Sequence, residues 1–135
     1  MTEELEAQRE LTEDLLARLA DPREDVRETA AEALAVSTED EDWRPDDLIL
    51  GEGIETITDL LGDKNLHIIR SALAIIIAIA SAGEEETLVS HGVIARLDRM
   101  QDHKDPQIRE MVNEALWLLN PEVEDVVTSK PQDEY

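Results

Sequence analysis

Apolar residues recur along the chain in a pattern that repeats itself about every 40 positions. Leu15, Leu16 and Leu19 lead into Asp21-Pro22, after which Val26, Ala30, Ala33 and Leu34 follow. Ile57, Leu60 and Leu61 lead into Asp63, after which Ile68, Ala72, Ile75 and Ile76 follow. Leu97 and Met100 lead into Asp105-Pro106, after which Ile108, Val112, Ala115 and Leu116 follow. Val26, Ile68 and Ile108 correspond, at separations of 42 and 40 residues. An apolar residue followed by others four, seven and eight positions later forms one stripe of an α-helix. Each copy therefore predicts an amphipathic helix, a polar turn containing Asp, and a second helix. Proline after Asp suits a turn or a helix start, because a first-turn residue has no N–H to donate within the helix.

A shorter apolar pattern precedes the pair in two copies. Leu48, Ile49, Ile54 and Ile57 match Leu88, Val89, Ile94 and Leu97 at a constant offset of 40. Gly92 falls between the two halves of the later copy, where a left-handed C′ glycine ends a helix. The middle copy's last helix, from Ile68 to about Ala82, is apolar nearly all round, as expected of a helix covered on both sides. The equivalent helices of the first and third copies keep polar faces, as terminal repeats must.

The segment from Glu86 to Leu119 resembles a full armadillo unit, and the first copy, with Asp21-Pro22 and Val26-Arg27, resembles a HEAT unit. The resemblance covers roughly residues 2–120. It implies an all-α fold, an α-solenoid of about three armadillo/HEAT-like repeats, at about 2–38, 45–83 and 84–120. Residues 121–135 read as a mobile acidic tail that lacks a clean period, with Val123, Val126 and Val127 as the positions that could dock back on the repeats.

In armadillo proteins the last helix of each unit lines a groove. By that resemblance the outward columns are Arg27/Ile69/Arg109, Ala31/Leu73/Asn113 and Ala35/Ile77/Trp117. They leave an apolar strip of Ile69, Leu73, Ile77 and Trp117, edged by Arg27, Arg70, Arg109 and Asn113. Such a strip would bind a partner protein or a second copy of the chain. The alternative is a rotated helix with these residues buried between repeats. Peptide-binding members carry Asn and Trp ladders on this helix. The matching positions here are Val36, Ala78 and Leu118 for Asn, and Glu32, Ala74 and Glu114 for Trp, so neither ladder is present. Arg27 and Arg109 could anchor a partner carboxylate, or pair within the protein with Asp21, Asp63 or Asp105.

Composition narrows the field further. The chain has 135 residues, 34 Asp plus Glu against 12 Lys plus Arg, and a net charge of -22. That charge repels phosphate backbones and argues against nucleic acid as a partner. With no Cys there is no disulfide, thiolate metal site or cysteine nucleophile. His67, His91 and His103 lack zinc spacing, so no metal or cofactor is expected. No catalytic motif is present, and an enzyme would need convergent polar groups that the sequence does not show. The 13 residues Ser71–Gly83 are too few to span a bilayer, and Met1–Leu5, with no basic or apolar run, is not expected to act as a signal peptide. Nine Arg to three Lys, abundant Ala and Val and no Phe resemble the cytoplasmic proteins of extreme halophiles. Salt explains the charge physically: screening length falls from about 8 Å at physiological strength to about 3 Å at 1 M. The sequence thus predicts a cytoplasmic, non-enzymatic protein-binding scaffold, with a homo-oligomerisation module as the alternative.

Overall fold

A computed structural model describes residues 2–41, 43–49 and 53–119, and all their side chains except those of residues 2–9 and 47. The tail expected at 121–135 lies outside the described residues. Those described are helical or in connecting turns, with no strand among them. The helices are α1 (Thr2–Leu19), α2 (Glu24–Ser37), α3 (Asp46–Ile49), α4 (Gly53–Asp59), α5 (Leu66–Ser81), α6 (Glu85–Ser90), α7 (Val93–Asp98) and α8 (Pro106–Leu119). A 3-10 turn, Leu60–Gly62, extends α4. The short helices predicted ahead of the second and third pairs are α3 and α6.

The last helices of the three copies stand side by side, with α5 between α2 and α8. Helix α1 backs α2, α4 and its 3-10 turn back α5, and α6 and α7 back α8. One continuous apolar core runs through the stack, from Leu19 and Leu34 through Ile57, Ile68 and Ile76 to Leu97, Ile108 and Val112. Trp43 is half-buried against it. The all-round apolar sequence of α5 follows from its position, since a helix packed on both flanks presents little surface to water.

The turns entering the last helices share one hydrogen-bond design. Asp21 Oδ1 accepts from Arg23 N–H, Asp63 Oδ1 from Asn65 N–H, and His103 Nδ1 from Asp105 N–H. These three pairs occupy equivalent positions. Asn65 Oδ1 then accepts from the N–H groups of His67 and Ile68, and Asp105 Oδ1 from those of Gln107 and Ile108. Both side chains satisfy helix-start donors that have no partner inside the helix. Pro106 takes the first helical position as predicted. Gly92 adopts a left-handed φ of 77° between α6 and α7, a conformation that costs glycine little. Gly53 is required for another reason: a β-carbon there would collide with the carbonyl of Leu48.

Candidate functional site

Burial along α2, α5 and α8 resolves each helix into three stripes. The backward stripe, Val26/Ile68/Ile108, Ala33/Ile75/Ala115 and Ser37/Ile79/Leu119, is buried in the second and third copies and open or half-open in the first. The forward stripe, Arg27/Ile69/Arg109, Ala31/Leu73/Asn113 and Ala35/Ile77/Trp117, is buried or half-buried in the first two copies and half-buried or exposed in the third. The outward stripe, Glu28/Arg70/Glu110, Glu32/Ala74/Glu114 and Val36/Ala78/Leu118, is exposed or half-buried in all three.

The groove columns expected from the sequence are therefore the forward stripe, which corrects that expectation. Ile69 and Leu73 are 3% and 0% exposed, and Ile77 is half-buried. They pack inside the stack, so no exposed apolar strip runs along α5, and a dimer built on such a strip loses its surface. The outward face lies one residue further along the helix, a rotation of about 100°. Asn113 and Trp117 are exposed, Trp117 by 51%, because no following repeat among the described residues covers α8. Arg109 is half-buried.

Both recurring arginines work within the protein. Arg27 Nε donates to Asp63 Oδ2 at 2.9 Å, joining the first repeat to the turn of the second. Its NH1 donates to the carbonyls of Asp21 and Pro22. Arg109 NH1 makes the equivalent bonds to the carbonyls of His103 and Lys104. The next inter-repeat ion pair comes from Arg70, whose NH1 lies 3.2 Å from Asp105 Oδ2. Asn65 had not been singled out from the sequence. Besides capping α5, its Nδ2 donates to Glu24 and Glu28 of α2. Its signal was legible: Asn directly ahead of an apolar helical run, here Leu66 onward, is a preferred cap.

Two carboxylates in these turns, Asp21 and Asp105, are held below the usual carboxylate range. The Arg23 side chain and N–H hold Asp21 down at about 2. The N–H of Ile108 leads the effects that lower Asp105, with Gln107 and Arg70 adding to it. Both shifts come from hydrogen bonds to the charged form.

The outward face runs across all three last helices. On α5 it carries half-buried Arg70, Ala74 and Ala78, flanked by Glu28 and Glu32 of α2 on one side and Glu110 and Glu114 of α8 on the other. Val36, 59% exposed, and half-buried Leu118 sit at one end. Among them, Val36, Ala78 and Leu118 are where the sequence resemblance would place the Asn ladder, and Glu32, Ala74 and Glu114 the Trp ladder. Here they carry small, apolar and acidic side chains.

A separate cleft of about 370 Å³ lies between α4 and the α6–α7 pair, lined by Glu55, Thr58, Asp59, His91, Arg96 and Arg99. Among the described residues, no group of three or more His, Asp or Glu could hold a metal ion. No helix among them is long and apolar enough to cross a membrane.

No family model matches the chain, and no curated protein matches it. Solved structures do. A designed armadillo repeat protein in complex with the peptide (KR)4 superposes with a TM-score of 0.73 at 25% identity, over 82% of this chain and 46% of that one. Computationally designed armadillo repeat proteins for modular peptide recognition give 0.72 at 25% identity, over 78% of this chain and 45% of that one. An engineered protein gives 0.74 at 17% identity over 89% of this chain and 31% of that one, a likeness of fold alone. The chain thus spans less than half the length of these structures. Its fold is an armadillo/HEAT-like α-solenoid.

Proposed function

We propose that the protein is a non-enzymatic scaffold that binds a polypeptide segment of a partner along the outward face of α2, α5 and α8. One observation carries this reading: three adjacent helices present the same stripe side by side, and the described chain leaves it uncovered. Small residues on α5, Ala74 and Ala78, let a backbone approach closely. The carboxylates of Glu32 and Glu114 favour Lys and Arg on the bound segment. The designed relative seen with (KR)4 supports the same chemistry. The missing Asn ladder removes the side-chain amides that would pair with a peptide backbone. Binding should therefore depend on charge and salt more than on backbone hydrogen bonds.

The test is a titration of a labelled Lys/Arg-rich peptide, beside a neutral one, into the full chain at the lowest salt that keeps its helical signal. Preferential binding of the basic peptide is expected, lost in Ala74→Arg/Ala78→Arg. Glu32→Gln/Glu114→Gln should weaken it and flatten its salt dependence. Equal affinity for both peptides, or binding unchanged in both variants, would sink the reading.

A further inference from the structure

The outward face carries two rows of different chemistry. Glu32, Ala74 and Glu114 form one, and Val36, Ala78 and Leu118, four residues on in each helix, form the other. Four residues of helix rise about 6 Å, so the rows run that far apart. Glu32 and Glu114 are exposed, and neither has a hydrogen-bond or ion-pair partner among the described residues. Val36 is 59% exposed and Leu118 is half-buried. In the next row toward the helix starts, Glu28 and Arg70 are already engaged: Glu28 accepts from Asn65 Nδ2, and Arg70 pairs with Asp105. Glu110 of that row is exposed and adds its charge to that of Glu114, one turn away.

Both rows cross the same three helices. Neighbouring helices pack about 9 Å apart, so Glu32 and Glu114, like Val36 and Leu118, stand about 18 Å apart. In extended chain two side chains leave the same edge only at even separations. Six residues, about 20 Å, is the even separation nearest that span. Side chains at the odd positions between leave the opposite edge. An amphipathic helix has its polar and apolar stripes on opposite sides of one cylinder, so it turns only one of them toward a face. An extended segment serves both rows at once. Ala74 and Ala78 lie under its middle and are small enough to admit its backbone. Arg70, one turn from Ala74, disfavours a further basic residue over α5.

We infer that the bound segment is extended and alternating, with basic residues at i and i+6 toward Glu32 and Glu114, and apolar residues at i+1, i+3 and i+5 toward Val36, Ala78 and Leu118. This assignment rests on the proposed peptide binding and narrows it, from basic segments in general to one pattern of basic and apolar positions. Composition alone does not meet it. A basic residue moved by one position leaves the opposite edge, over the apolar row, and an apolar residue takes its place beside a carboxylate.

Three heptapeptides with blocked ends test this against the full wild-type chain, titrated at the lowest salt that keeps its helical signal and followed by its amide resonances. Lys-Val-Ser-Val-Ser-Val-Lys keeps both lysines on one edge. Lys-Val-Ser-Val-Ser-Lys-Val has the same composition and charge but splits them between edges. Gln-Val-Ser-Val-Ser-Val-Gln keeps the alternation and lacks the charge. The first should bind about tenfold tighter than its isomer, the difference that partial burial of one valine gives. It should shift the amides of Val36, Ala78 and Leu118 more than the isomer does. Val36→Ser, at an exposed position, should narrow that ratio and leave the preference for lysine over glutamine intact. Equal affinity for the two lysine isomers, or the reverse order, with both tighter than the glutamine peptide, would overturn the alternation and leave the proposed function standing. A glutamine peptide that binds as tightly as its lysine counterpart, or no binding by any of the three, would remove both.

Discussion

Arg27 of α2 and Asp63 of the turn before α5 form a 2.9 Å bond that crosses the first repeat boundary, with side chains only 21% and 9% exposed. A half-buried pair of this kind differs from a surface ion pair. Loss of one partner leaves the other charge poorly solvated, whereas an exposed pair contributes little. Asp63→Ala should therefore destabilise the fold by roughly 1–3 kcal/mol. Arg18→Ala, which breaks the exposed pair with Asp14, should cost less than about 0.5 kcal/mol. Denaturant unfolding of both variants at one salt concentration checks the ordering.

Asn65 separates capping from charge. Asn65→Ala removes the cap of α5 and should cost about 0.5–2 kcal/mol at any salt. Asn65→Asp can still accept from His67 and Ile68, but it sets a carboxylate against Glu24 and Glu28, which the amide now bonds. Its penalty should be large in dilute buffer and shrink toward 1 M salt, where screening acts within about 3 Å. Thermal unfolding over a salt series distinguishes the two variants.

Leu73 and Trp117, grouped together by the sequence pattern, should behave oppositely. Leu73→Ala empties a fully buried site and should cost about 2–5 kcal/mol. Trp117→Ala removes a half-exposed side chain and should cost about 1 kcal/mol or less from the described contacts. Equal costs would show that α5 is rotated from its described orientation or that Trp117 is more deeply covered.

Acid should loosen the turns late. Asp21 is held at about 2 in the folded chain against an ordinary 3.8. Its depressed value means that its contribution is complete above about 3.8 and lost as pH falls through about 2. Asp105 shifts in the same direction and for the same kind of reason. Relative to wild type, Asp21→Asn should lose stability near neutral pH, and the difference should close between about 4 and 2. Urea midpoints across that range test the sign.

The linear pattern was enough for the helix pairs, the 40-residue period, the Asp-containing turns and the central position of the most apolar helix. Each depends on interactions within a few residues or on repetition, and both are visible in the chain. The rotation of α5 about its own axis was not legible. A helix that is apolar nearly all round has no periodic contrast, so Ile69, Leu73, Ala74 and Ala78 were equally eligible for the groove. Only packing between α2 and α8 turned Leu73 inward and left Ala74 and Ala78 outward. The same packing decided which carboxylate each arginine meets. Asp21, Asp63 and Asp105 were all open as partners of Arg27 and Arg109. Asp63 accepts from the Arg27 Nε because inter-repeat stacking brings the next turn alongside α2, a distance that no local spacing encodes.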